Sequence, residues 1–354
     1  MRDVAIVSFA QSKHTRAVED LNEVEMLMPV TRAALDQVGL EIGDIGFTCS
    51  GSTDYLAGNA FSFVSTLDGV GPWPPIQESH VEMDGAWALY EAWVKIQTGA
   101  IDTAFVYSYS KASSGDLPKV LSRQLDPYTV GPLWLDAISL AALAASAALD
   151  AGVVTREAMA EVAARSRRDA LANNDHAQLR FDRPAESIMA EADFVGALRR
   201  SDCPPISDGA AAIVLAAGDR ARELSDHPVW ITGIDHRVDP MALGVRDLTD
   251  VPSARLAAAK AGVADAPVDA WELHAPFTHD ELLLRRALSV PDDAVVNRSG
   301  GALSANPMLT AGLIRLGEAA GQIAGGHAHR MVAHATQGPA LQQNLVAVLE
   351  GDRS

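Results

Sequence analysis

The stretch "PPIQESHVEMDGAWALYEAWVKIQTGAIDTAFVYSYS", residues 74–110, decides how the chain is read. A short strand leads into a polar turn, and residues 85–98 then read as a helix buried on most of its surface. Gly99 ends that helix, and "TAFVYSYS" (103–110) is an apolar strand. Strand, sharp turn, helix and strand in succession form the repeating unit of an α/β fold. The centre, "HVEMDGAW" (80–87), has the form of a helix N-terminus at which an enzyme keeps a nucleophile, and Glu82 stands there. Free N–H groups and the positive end of the helix dipole hold a carboxylate ionised unless burial opposes them. Glu82 is therefore either a cap for the helix or a proton acceptor.

Working outward, "DVAIVSFA" (3–10) is a strand, "EVEMLMPVTRAALDQVG" (23–39) is a helix stopped by Gly39, and "IGFTCSG" (45–51) is a second strand. Residues 113–200 differ: strand signals are few, and "AISLAALAASAALDAG" (137–152) and "REAMAEVAARSRRDALANN" (156–174) are strong helices. An inserted helical subdomain is expected there. "SDCPPISDGAAAIVLAAGDRARE" (201–223) returns to a turn, a buried strand and a helix start, and alternation resumes from residue 227. The expected units are a first half over 1–112, a helical insert over 113–200, the end of the first half over 201–225 and a second half over 226–354. The halves echo one another. "EAWVKIQTGAIDTAFVYSYS" (91–110) and "EAAGQIAGGHAHRMVAHATQ" (318–337) share Glu-Ala, an Ile four positions on, a Gly and a strand. This is either an internal duplication or the general likeness of helix–Gly–strand units.

A chain of 354 residues, 48% hydrophobic and 21% charged, is a soluble globular protein with room for two or three domains. Aromatic residues make up only 5%, and abundant Ala and Gly predict helices packed closely on sheets. The formal charge of -18 disfavours nucleic acid and anionic membranes as partners, so an anionic ligand would need a local basic patch. Cys49 and Cys203 make no disulfide framework and no metal-type spacing, which fits a reducing, cytoplasmic setting with neither metal nor resident cofactor. Residues 1–16 read as a first strand, not a signal peptide. The most apolar segment, "LWLDAISLAALAASAAL" (133–149), is short for a membrane span and carries Asp136, so it reads as a buried helix.

Further segments carry candidate chemistry. In "WELHAPFTHDELL" (271–283) a strand ends in Glu272 and His274, and a helix begins near His279 and Asp280. A histidine at a strand's carboxyl end stands where α/β folds bind ligands, although a loop histidine is also an ordinary structural group. In "VVNRSGGALSANPMLTAG" (295–312), Gly300 and Gly301 allow a tight hairpin against another backbone, and Asn306 either donates to an oxyanion or caps a helix that Pro307 opens. "ATQGPALQQN" (335–344) runs a strand into a turn at Gly338 that can present backbone N–H groups. Arg165 and Arg168 share one helix face, available to phosphates or simply solvated.

Taken in order, these segments resemble the thiolase superfamily over the whole chain, in particular sterol-carrier-protein-type thiolases and thiolase-like lipid-transfer proteins. "SDGAAA" (207–212) and the "SGG" hairpin (299–301) are the more specific matches. The resemblance implies two similar halves in five αβαβα layers with a helical loop domain inserted in the first. Aligning Gly85 with the family's helix glycine puts Glu82 where thiolases carry their acyl-accepting cysteine, and neither Cys49 nor Cys203 matches that position. Asn306 falls where the family usually has a histidine, the last Gly turn lacks the second cysteine, and His274 matches the family's remaining histidine. The activity this resemblance implies is retro-aldol cleavage of a β-hydroxyacyl-CoA in sterol side-chain breakdown. His274 and Asn306 would form an oxyanion site, with Glu82 as base, backbone donors at the Gly338 and Gly301 turns, and Arg165 and Arg168 on coenzyme A. The alternatives are a non-catalytic subunit paired with an active paralogue and, disfavoured by Glu82, an acetyl-CoA acyltransferase. The resemblance also implies a dimer, homomeric or with a thiolase-like paralogue, joined by a small zinc-ribbon and OB-fold acyl-CoA-binding protein.

Overall fold

The computed structural model describes residues 2–352. The first half runs β1 (Val4–Gln11), α1 (Glu23–Asp36), β2 (Phe47–Gly51), the single-turn helices α2 (Ser62–Ser65) and α3 (Leu67–Val70), β3 (Glu78–Val81), α4 (Gly85–Gln97) and β4 (Thr103–Ser110). A mostly helical segment follows, with α5 (Leu117–Arg123), α6 (Ala137–Asp150), α7 (Arg156–Asn173), α8 (Ala185–Met189) and the small pair β5 (Asp193–Val195) and β6 (Leu198–Arg199). Strand β7 (Gly209–Ala217) and α9 (Gly218–Leu224) return to the main body. The second half runs β8 (Val229–Val238), α10 (Pro252–Lys260), β9 (Ala270–Leu273), α11 (Thr278–Ala287), β10 (Val295–Val296), α12 (Ala311–Ala324), β11 (Arg330–Gln337) and β12 (Gln343–Glu350).

The strand order is β10-β9-β11-β12-β8-β1-β7-β4-β2-β3. It reads the same from both ends: β3 matches β10, β2 matches β9, β4 matches β11, β7 matches β12 and β1 matches β8. The duplication glimpsed at 91–110 and 318–337 is thus α4–β4 set against α12–β11. Strands β1 and β8 are joined antiparallel through two residue pairs, Ala5 with Trp230 and Ile6 with Val229, so the array is two five-stranded sheets meeting at a narrow seam.

Each half contains parallel pairs, β2 with β3 and β4, and β9 with β10 and β11, and parallel sheets must be covered on both faces. Helices α4 and α12 lie between the sheets, where Leu89, Ile96, Leu313 and Ile314 meet Val106 and Met331. Helix α1 covers the outer face of the first sheet with Leu27 and Val30 on Phe105 and Tyr107. Helices α10 and α11 cover the outer face of the second, joined there by Ala145 of α6 and Met159 of α7. The result is five layers, helix–sheet–helix–sheet–helix.

The central layer is tight because small residues permit it. A Cβ on Gly85 would meet Ser108 Cβ at 2.7 Å and Leu313 Cδ2 at 2.9 Å, and one on Gly51 would meet the Gly85 nitrogen at 2.6 Å. Helix α12 begins at Ala311, not at the Asn306–Pro307 pair where a helix start was expected. Leu309 takes a left-handed φ of 66° and Pro307 pairs with Ser207, so tertiary contacts hold residues 302–310 as turns. Among the described residues, no helix is long and apolar enough to cross a membrane.

Candidate active site

A cavity of about 470 Å³ opens where the carboxyl ends of β2, β9 and β11 meet the first turns of α4 and α11. This is the edge at which open α/β sheets bind ligands. The segment from α5 to α6 and the loop before β7 cover it with apolar side chains, among them Leu117, Leu121, Leu135, Ile138 and Ile206. The charged residues in its wall are all acidic: Asp84, Asp136 and Asp280.

His274 follows β9 directly and lines the cavity, buried. Its Nδ1 accepts the Thr336 N–H at 3.4 Å, which places the ring proton on Nε2. Burial, with His334 and Arg315 nearby, pushes its pKa down to about 3, so the ring is neutral at physiological pH. Asn306 lines the same wall, with its N–H donating to Ser207 Oγ at 3.0 Å. Its carboxamide lies beside the His274 ring and favours a proton there, yet Asn306 Oδ1 makes no well-aligned hydrogen bond. A neutral imidazole N–H and an uncommitted carboxamide on one wall suit a ligand oxygen that gains negative charge.

The carboxylate at the head of α4 that faces the cavity is Asp84, not Glu82. Asp84 is fully buried; its Oδ1 accepts the Ala86 N–H at 2.8 Å and the Leu313 N–H at 3.0 Å, and its Oδ2 accepts the Gly312 N–H at 2.9 Å. One side chain therefore caps α4 and, from the other half, α12. Burial pushes its pKa up to about 6 against these three donors, which alone favour the charged form. Its own N–H donates to Gln337 Oε1 at 3.2 Å. Glu82 turns outward, is exposed, and accepts from Thr53 Oγ1 at 2.9 Å. It touches the cavity only through Thr53, which lines the wall.

The other predicted site residues divide. Gly338 lines the cavity with φ of 78°. Pro339 after it has no N–H to offer, and Ala340 and Leu341 are both left-handed. Arg246 holds this turn, donating from Nη1 to Pro339 O at 3.0 Å and from Nη2 to Ala340 O at 2.5 Å. Gly301 lies outside the cavity wall. Its hairpin packs instead on α7, where a Cβ on Gly300 would meet Ala170 Cβ at 2.5 Å. Arg165 is not presented to a phosphate: its Nη2 is spent on the buried Glu281 at 2.5 and 2.7 Å. Arg168 is exposed on α7 beside Asp169 and away from the cavity. Sequence reasoning passed over Asp84, although a short acidic residue immediately before a helix glycine is an N-cap signal. It did not place Cys203 or Asp280 in the wall; Cys203 lines the cavity with its thiol pushed up to about 12 by burial.

No family model matches the chain. The acetyl-CoA acetyltransferase of Methanothermobacter thermautotrophicus is 26% identical over 363 residues, covering 94% of each chain. Among solved structures, the Ltp2-ChsH2(DUF35) aldolase superposes with a TM-score of 0.82 at 20% identity, covering 99% of this chain and 98% of that one. Human mitochondrial 3-ketoacyl-CoA thiolase gives 0.79 at 15% identity over 99% of each. The α/β architecture described above is the thiolase fold, and the chain is thiolase-like along nearly its full length.

Proposed function

We propose that the chain acts on acyl-CoA thioesters and performs retro-aldol carbon–carbon cleavage of a β-hydroxyacyl-CoA within a multi-subunit assembly. The observation that carries this reading is the pairing of a neutral His274, protonated on Nε2, with the uncommitted Asn306 carboxamide in one cavity wall. Retro-aldol cleavage needs donors for a thioester enolate and a base for the β-hydroxyl, and no covalent intermediate. Thiolysis instead needs a thiolate, and burial keeps the cavity's cysteine, Cys203, as a thiol at neutral pH. The similar acetyltransferase supports the acyl-CoA class, and the aldolase of like fold supports both the reaction type and a heteromeric assembly. The apolar, acid-bearing wall suits a bulky neutral acyl group such as a sterol side chain, with the coenzyme A nucleotide left outside. Dimerisation, with a copy or a thiolase-like paralogue, is proposed along β3, the outermost strand of the first sheet, since an unpaired edge invites a partner strand.

A second reading, a non-catalytic subunit, is favoured by the head of α4: Glu82, at the nucleophile's position, turns outward, and the buried carboxylate there, Asp84, serves as a shared helix cap. One experiment separates the two. In the assembled complex, His274→Ala and Asn306→Ala each lower turnover about a hundred- to a thousand-fold while assembly persists. Undiminished cleavage in both variants assigns catalysis to another chain.

A further inference from the structure

Three carboxyl groups line the cavity, and two are already committed. Asp84 accepts three backbone N–H groups. Asp136 stands exposed at the mouth and caps α6, accepting the N–H and Oγ of Ser139. Asp280 differs. It is 5% exposed, in the first turn of α11. Its Oδ2 accepts the Phe277 N–H at 3.1 Å, which completes the helix cap and leaves Oδ1 without a donor. Facing Oδ1 at 3.3 Å is Nε2 of His279, a fully buried ring with neither nitrogen hydrogen-bonded. Buried polar groups without partners are rare and mark functional or strained places. Here an open carboxyl oxygen and an unpartnered imidazole lie together behind the wall that also presents His274 and the unpartnered Asn306 Oδ1.

We propose that Asp280, held through Oδ2 by the Phe277 N–H, is the proton acceptor in the carbon–carbon cleavage; this rests on the retro-aldol reading above. Oδ1 takes the proton of the substrate's β-hydroxyl. The O–H electron pair becomes the second bond of the departing carbonyl, the Cα–Cβ bond breaks, and its electrons pass through Cα to the thioester oxygen. His274 and Asn306 hold that enolate oxygen. A proton returned to Cα completes the acyl-CoA product, so the two products together equal the substrate. The Phe277 N–H holds Oδ2 and so leaves Oδ1 as the free oxygen. Burial also raises Asp280 above the ordinary carboxylate range, in the direction a general base requires.

The test uses the assembled complex and a β-hydroxyacyl-CoA carrying an apolar ring system, with the released ketone or aldehyde as readout. Asp280→Asn should lower kcat about a hundred- to ten-thousand-fold with KM within about threefold. Asp280→Ala should be equally slow and should regain activity with added formate, which supplies a carboxylate to the vacated space. A folding role alone cannot produce that rescue. If Asp280→Ala stays slow in formate and melts early, the residue is only a cap and the proposal is overturned. If Asp280→Asn retains full rate while His274→Ala loses it, the base lies elsewhere but the site stands. If His274→Ala and Asp280→Asn are both fully active, or the wild-type complex does not cleave, the retro-aldol reading fails and this proposal fails with it.

Discussion

In the first half, β3 passes to α4 through three residues, Glu82 to Asp84, and Asp84 caps the helix it precedes. In the second half, residues 297–310 separate β10 from α12, and that helix begins without a side-chain cap of its own. The same structural position is therefore a rigid turn in one half and a long polar loop in the other. The loop supplies Asn306, and its helix borrows the cap it lacks from Asp84. A duplicated framework has given rigidity to one copy and cavity chemistry to the other: His274, Asp280, Asn306 and the turn at Gly338 all come from the second half.

The largest test of this contrast is Asp84→Ala. Three buried N–H groups lose their acceptor, at about 1–3 kcal/mol each, so urea unfolding should show a loss of roughly 3–9 kcal/mol. Asp136→Ala, which removes an exposed cap of α6 alone, should cost about 1 kcal/mol. Equal losses would show that Asp84 does not serve two helices.

Next in size is the pH dependence. His14, His274 and His334 are held neutral by burial, with pKa values pushed down to about 3, 3 and 4. Unfolding lets each bind a proton as pH falls below the free value of 6.5, so the stability they contribute is present above that value and is lost toward their folded values. Asp84 acts oppositely between its free value of 3.8 and its folded value of about 6: there the folded state holds the proton and the unfolded chain does not. Glu318, pushed up by burial from 4.5 to about 7, opposes the histidines as Asp84 does, so three protons gained on unfolding less two released leave about one between pH 6 and 5, or roughly 1–1.5 kcal/mol lost per pH unit. Urea unfolding at pH 7, 6 and 5 measures it, and a flat profile would mean that water reaches these rings.

The smallest expected effect is that of Glu82→Gln. An exposed group bonded to Thr53 should change stability by about 0.5 kcal/mol or less and turnover by no more than about threefold. A hundredfold loss would return the proton-accepting role to the short turn of the first half.

The legible part of the sequence was local. The strand 103–110 was read to the residue and the helix 85–98 to within one, because apolar periodicity, Gly99 and the flanking turn are all contained in the stretch itself. The layered α/β fold followed from repetition of that pattern and from family likeness. The loop before α12 was misread because Asn306–Pro307 is a sound local helix start, overridden by Ser207 nearly a hundred residues away. Arg165 read as a ligand-facing or solvated cation because its partner, Glu281, lies on another helix. The choice between Glu82 and Asp84 turned on which side chain the turn points inward, and two of Asp84's three donors belong to the other half. His274 and Asn306 could be named from motifs, but their placement in one wall, and Asp280 beside them, is a property of the folded chain.

The shared cap also bears on how the molecule comes into being. The hydrogen bonds from Gly312 and Leu313 to Asp84 span 228 and 229 positions, and Gly85 donates back to Leu309 O at 2.8 Å. Contacts of such separation close a very long loop and tend to form late, after each sheet has gathered its local structure. A first half emerging from the ribosome lacks two of Asp84's three donors and the helix that buries it, and the start of α12 stays frayed until it docks. The two halves should therefore reach their native state in one cooperative event, and weakening the cap should speed unfolding far more than it slows folding.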